Sequence, residues 1–145
     1  MARLNFDHVA FLGGLGAVGS IIADYFGGWD SGLATLIIFM GIDYITGLLV
    51  AAVWKKSPKS DTGALESHAG WKGLIKKCVT LLVVLMATRL DIMLQVDFVR
   101  TAAVIGFIVN ETLSIIENLG LMGVPVPDVV INAIEKLKGK DTEGQ

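Results

Sequence analysis

The residues best placed to do chemistry in this chain are acids and amides set in apolar surroundings. Asp43 stands in the middle of Ser31 to Trp54 (SGLATLIIFMGIDYITGLLVAAVW), a run of 24 residues with no other charge and eleven Leu, Ile, Val or Phe. A second polar set, Asn110, Glu111, Ser114, Glu117 and Asn118, recurs at helical spacing within Phe98 to Leu121, with Arg100 three turns before Glu111. A charge at the centre of a bilayer span costs about 2.5–3.5 kcal/mol, and eleven aliphatic or aromatic side chains return about 3–7 kcal/mol. The Asp43 segment therefore inserts, and its carboxyl is expected in a helix bundle or a wet cavity. An ionisable group in that setting points to a functional site. Thr46, Gly47 and Val50 share the Asp43 face at i+3, i+4 and i+7, so that face is expected to turn inward.

The chemistry this implies is polar association or a hydrated path. No nucleophile and base fall at a catalytic spacing, so no catalytic residue and no enzyme are expected. His8 and His68 are isolated, and the one cysteine, Cys78, lies in an apolar run. Neither an intrachain disulfide nor a metal cluster can be built from them, and no cofactor is expected.

Four apolar segments position these groups. The composition is 53% hydrophobic and only 18% charged over 145 residues, which suits a single membrane domain over 1–145. The expected spans are 8–26, 31–54, 74–94 and 98–120, with a basic cytoplasmic loop at 55–73 and an amphipathic helix at 127–138. The fold class is thus an all-α integral membrane protein with three to four transmembrane helices and a C-terminal cytoplasmic amphipathic helix. The third span is the least apolar. Its uncharged core is Cys78 to Thr88, and it crosses with Lys76 and Lys77 snorkelling at one end and Arg89 and Asp91 at the other interface. In the last helix, Val129, Val130, Ala133, Ile134 and Leu137 form the apolar stripe, and Asp128 after Pro127 suits a helix start. The tail Gly139 to Gln145 is polar and expected to be unstructured.

Charge sets the expected orientation. Residues 55–77 carry Lys55, Lys56, Lys59, Lys72, Lys76 and Lys77 against Asp61 and Glu66, so the short basic loop stays cytoplasmic. Four spans then put both termini inside. A net charge of −2 gives no reason to expect nucleic acid. An anionic-lipid or nucleic-acid patch is the alternative reading of the lysines. The first segment, Val9 to Ala23, is short and glycine-rich. Gly13 with Ala17, Gly16 with Ser20 and Gly19 with Ala23 fall at i,i+4, the spacing that lets helices approach closely in lipid, and Gly47 belongs to the same class. It competes with a signal-peptide reading, which Arg3 offset by Asp7 disfavours. Three spans, with this segment out of the bilayer or cleaved, is the runner-up.

Three patches together resemble a known family. They are Asp43-Tyr44-Ile45-Thr46-Gly47; Ser67 through Lys77, especially Gly73-Leu74-Ile75-Lys76-Lys77; and Asn110-Glu111-Thr112-Leu113-Ser114-Ile115-Ile116-Glu117-Asn118 followed by Gly123-Val124-Pro125-Val126-Pro127. This pattern, over residues 35–138, resembles the phage lysis and toxin-secretion holins of Gram-positive bacteria and their prophages. The third patch is its most specific part. The resemblance implies a small protein that accumulates in the bacterial cytoplasmic membrane, forms a homo-oligomer and opens lesions at a set time. These release an endolysin or, in toxin-secreting relatives, a large toxin. Two other classes compete: a small ion- or proton-coupled transporter using Asp43 or Glu111, and a membrane scaffold binding through the 55–77 loop or the last helix. Transporters often show internal repeats, and residues 9–54 and 78–121 show none.

Overall fold

The computed structural model describes residues 6–64 and 66–143, and these are helical without strands. Five helices follow in order: α1 (Phe6–Tyr25), α2 (Ser31–Leu49, extended by a π-helical turn at Val50–Trp54), α3 (Ser67–Leu94), α4 (Val99–Leu121) and α5 (Asp128–Glu143). Among the described residues, three helical stretches are long and apolar enough to cross a membrane: Asp7–Tyr25, Ser31–Trp54 and Val99–Leu121. The protein is an all-α membrane protein. Although α3 is the longest helix at 28 residues, it is not among the three. Lys72, Lys76, Lys77, Arg89 and Asp91 interrupt its apolar surface.

Helix α2 starts where its sequence supplies a cap. Asp30 is extended (φ −116°, ψ 174°), and its Oδ1 accepts from the Leu33 N–H at 2.8 Å. This satisfies a donor the first turn would otherwise leave free, and the charge sits at the positive end of the helix dipole. Leu33, Leu36, Met40 and Asp43 then follow at steps of three and four and make the buried face. Val50 and Ala51 carry that face through the wider π turn. Lys55, in the left-handed region at φ 50°, ends it by donating its N–H to the Val50 carbonyl.

Helix α4 is the centre of the bundle, packing most extensively on α2, then on α3, and receiving α5 near its end. The apolar core is Leu33, Leu36, Met40, Val84 and Val104, flanked by Phe26, Leu81, Phe107 and Ile108. Many large apolar side chains face outward on the same helices, including Ile38, Ile45, Leu82 and Met86. In water this surface would be an aggregation hazard, whereas against lipid tails it costs nothing. Helix α1 stands apart, with its apolar stretch unburied and Phe11, Leu12 and Ile21 more than half exposed. The Gly27–Gly28 turn links it to α2. Gly27 has φ +83°, and a Cβ there would lie 3.2 Å from the Arg100 Nε, so both the backbone and the space require glycine.

Two expected boundaries move. The basic loop expected over 55–73 ends at Glu66, because α3 begins at Ser67 and puts Lys72 on a helix. Glu66 closes this junction: its Oε1 accepts from the Thr62 hydroxyl at 2.7 Å and its carbonyl from the Gly70 N–H at 3.1 Å. The last helix runs to Glu143, five residues into the stretch expected to be unstructured. Gly139 does not break it, since Lys138, Lys140 and Glu143 favour helix over coil. Arg3, Gly144 and Gln145 lie outside the described residues, as does Leu65; so does the side chain of Leu137. Of the amphipathic stripe, Ile134 is buried, whereas Val129 stays 78% exposed.

Candidate functional site

Two helices and the loop between them deliver charges to one point beside α4. Asp43 comes from the middle of α2 and is 5% exposed; Glu111 comes from the middle of α4 and is 6% exposed. Between them lies the Lys77 ammonium, brought in by α3. Its Nζ is 2.8 Å from the Asp43 Oδ2 and 2.6 Å from the Glu111 Oε2. The other Asp43 oxygen, Oδ1, accepts from the Asn118 Nδ2 at 3.1 Å. Asn118 also donates towards the Thr46 Oγ1 at 3.0 Å and the Asp43 carbonyl at 3.3 Å. The loop after α2 returns Lys59 to within 3.8 Å of the Asp43 Oδ1, with its side chain half exposed.

The electrostatics follow from counting. Two buried carboxylates flank one buried ammonium, and Lys59 supplies the second positive charge from the edge. A lone charge in this setting would be strongly disfavoured, so the cluster persists because its members satisfy one another. Lys77 alone touches both acids. Removing it leaves two carboxylates facing each other, whereas removing either acid leaves an ion pair.

A cavity of about 790 Å³ opens beside the cluster, between α2 and α3 and under the loop. Asp43, Lys77, Asn110, Glu111 and Ser114 are on its lining, together with Lys59 and Lys72. The loop holds its shape through Gly63, whose φ is +74° and where a Cβ would collide with the Lys55 carbonyl oxygen. Polar groups of three helices therefore meet a space large enough for water or a ligand.

The polar stripe of α4 divides. Glu111 and Asn118, seven residues apart, turn inward and are buried, and Ser114 between them is half-buried. Asn110 and Glu117, also seven apart, are exposed, and Glu117 makes no contact with the cluster. Thr46 joins the cluster through Asn118, and its hydroxyl also bonds back to the Ile42 carbonyl at 2.8 Å. Gly47 lies beside Asn118: a Cβ there would sit 3.7 Å from its Nδ2, an ordinary contact. In contrast, Gly13, Gly16, Ala17 and Ser20 are exposed, and among the described residues the two glycines have no atom within 4 Å of an added Cβ. Lys55, Lys56, Lys72 and Lys76 are exposed. Among the described residues no three His, Cys, Asp or Glu side chains converge in a metal-binding arrangement, and Cys78 is free and exposed.

Comparison with known proteins decides the family. A sequence model described as the bacteriophage holin family matches residues 20–139. The chain belongs to that family. A probable holin of Bacillus phage phi105 is 31% identical to this holin-family chain over 112 residues, covering 77% of each. An uncharacterized 14.9 kDa protein of Clostridium perfringens is 34% identical over 129 residues, covering 88% of this chain and 92% of that one. An uncharacterized protein of Listeria monocytogenes is 33% identical over 133 residues, covering 91% and 89%. No solved structure matches.

Two cations have partners that helical spacing alone does not reveal. Lys77 was expected to snorkel with Lys76 as a topology signal, yet it points into the bundle with its side chain 12% exposed. The signal was present: Lys77, Val84 and Asp91 recur every seven residues, and Val84 and Asp91 are buried. Lys76, one step of about 100° away, stays outside. Arg100 was aligned with Glu111 along α4 but serves the opposite end of the bundle. Its Nη1 is 2.6 Å from the Asp30 Oδ2, and its Nε donates to the Phe26 carbonyl at 2.6 Å. Nearby, the Asp91 carboxylate accepts from the Val99 and Arg100 N–H groups, each at 2.9 Å, and so caps α4.

Proposed function

We propose that this chain acts without enzymatic chemistry, by oligomerising in the cytoplasmic membrane of a bacterial host and opening holes that release an endolysin or a large toxin. The observation that carries the reading is the buried cluster of Asp43, Lys77, Glu111 and Asn118 in a holin-family bundle. Charges of both signs satisfy one another inside a single chain, so the monomer can insert without leaking. The same groups can re-pair between protomers or face water when helices separate. Intramembrane polar contacts are each worth about 0.6–2 kcal/mol, so assembly by such contacts depends on density and gives a delayed, threshold-like opening.

Helix α1 supports the homo-oligomer. Its small-residue face of Gly13, Gly16, Ala17 and Ser20 is exposed among the described residues, and close packing in lipid is what such a face provides. The lysines of the loop after α2 support a cytoplasmic side for that loop, and in this reading α3 crosses beside α4, which makes four passes with both termini on the same side.

The test is inducible expression in a bacterium carrying a cytoplasmic endolysin, following membrane potential and culture density together. The expected result is an abrupt, timed collapse of both, with lysis only when the endolysin is present. Early, partial depolarisation without endolysin release would identify a small channel or transporter and overturn the large-hole reading.

A further inference from the structure

We propose that the cleft between α2 and α3, at the end bearing the 55–66 loop, is a binding site for the phosphate headgroup of one anionic glycerophospholipid. An acyl chain lies along Leu48, Ile75 and Val79. The proposal rests on the membrane reading alone and not on hole formation. Its first support is unspent positive charge. Four lysines line the cavity, namely Lys59, Lys72, Lys76 and Lys77. Lys77 is held by Asp43 and Glu111, while Lys72 and Lys76 have no acidic partner among the described residues, and Lys59 keeps only a 3.8 Å contact. The facing acids are occupied: Asp43 and Glu111 by Lys77, and Glu66 on the lining by the Thr62 hydroxyl and N–H.

The second support is an orphan donor. The Ser60 Oγ is buried on the cavity lining and has no hydrogen-bond partner among the described residues. Buried hydroxyls are nearly always paired, so an unpaired one beside free ammonium groups asks for an acceptor that carries negative charge. The Ser57 Oγ, on the same lining, accepts from the Lys59 N–H at 3.3 Å, which leaves its own hydrogen to donate.

The third support separates a lipid from a soluble phosphate. Helices α2 and α3 touch sparingly, and the walls between them are apolar. Ile75 and Val79 are about half exposed on the lipid-facing side of α3, at 47% and 51%. A headgroup at the lysines thus has hydrocarbon surface directly below it, continuous with the bilayer. Free phosphate would leave that wall bare.

The experiment uses the full chain in phosphatidylcholine nanodiscs, with dioleoyl phosphatidylglycerol titrated in and bound lipid counted by native mass spectrometry. One saturable lipid per chain is expected. Lys72→Gln with Lys76→Gln should weaken it by about tenfold or more. Ser60→Ala should weaken it by about threefold and, being a small change in the loop, tests the site even where the double variant folds poorly. Lys56→Gln with Lys136→Gln removes the same charge away from the cavity and should change binding by less than about twofold. Equal losses from the two double variants, or binding that never saturates, would overturn the site in favour of general attraction to the surface. Displacement by equimolar glycerol phosphate would overturn the lipid in favour of a free anion. Lysis assays do not enter this test, so a chain that binds the lipid but opens no hole sinks only the functional proposal.

Discussion

The two ends of the bundle use the same kinds of residue for different purposes. At the turn end, Arg100, Asp30 and Asp91 spend most of their bonds on backbone: the Phe26 carbonyl and the Leu33, Val99 and Arg100 N–H groups. Those bonds cap two helices and fasten the α1–α2 turn to α4. At the loop end, Asp43, Lys77 and Glu111 pair with one another across three helices, well away from the helix ends. Nothing local requires charge there, because apolar side chains would pack the same space at less desolvation cost. A charge that caps a turn explains itself, whereas a charge cluster in mid-helix beside a cavity calls for a function.

The contrast breaks hardest at Lys77. Lys77→Gln leaves two buried carboxylates 34 residues either side without their shared cation. The expected loss is about 3–5 kcal/mol of stability, the cost of an uncompensated buried charge. Thermal unfolding in mild detergent checks it. A loss no greater than that of Glu111→Gln would show that Lys77 is not the centre of the cluster.

At the turn end the largest effect is expected from Arg100→Gln. It removes the ion pair to Asp30 and the donor to the Phe26 carbonyl, costing about 1.5–3 kcal/mol. In the proposed function this variant lowers the amount of folded protein but leaves the timing of lysis per molecule unchanged. A shift in timing at matched membrane density would erase the distinction between the two ends.

Asp43→Asn sharpens the comparison from the other side. Lys77 keeps Glu111, and the amide keeps a polar partner near Asn118, so stability falls by only about 0.5–1.5 kcal/mol. Insertion should be intact while the trigger time shifts, read as the interval from induction to depolarisation. Unchanged timing and unchanged oligomer size would make Asp43 a structural residue.

Much of this arrangement was legible in the residues. The period of α2 placed Asp43 with Thr46, Gly47 and Val50 on one face, and the structure buries Val50 there and sets Thr46 against Asn118. What escaped were pairings between helices. Helical spacing says which side chains share a face but not which faces meet, so the alignment of Arg100 with Glu111 along α4 carries no sign of its partner Asp30, 70 residues earlier. Lys77 was hidden because Lys76 stands beside it, and two adjacent lysines at a span's edge read as an orientation signal. The end of α5 was missed for a related reason: glycine at 139 reads as a stop, while the surrounding residues continue the helix.

The smallest expected effect is the pH dependence that Asp30 contributes at the turn end. The hydrogen bond from Arg100, followed by the Leu33 N–H, holds the Asp30 carboxyl below its ordinary value of 3.8, against the opposing effect of burial. A depressed carboxyl stabilises the fold at pH values above the ordinary one and loses that contribution as pH falls through its lowered folded-state value. Asp30 is about half exposed, at 48%, so the contribution is screened and small. The contribution of Asp30 to the unfolding temperature should therefore stay constant from neutral pH down to the ordinary carboxylate range. Below it, wild type and Asp30→Asn should converge, because protonated Asp30 and asparagine are both neutral at the N-cap. Convergence near neutral pH instead would mean that the Arg100 pairing does not hold the carboxyl charged, and the turn would then owe its order to the Phe26 carbonyl and the Asp91 cap.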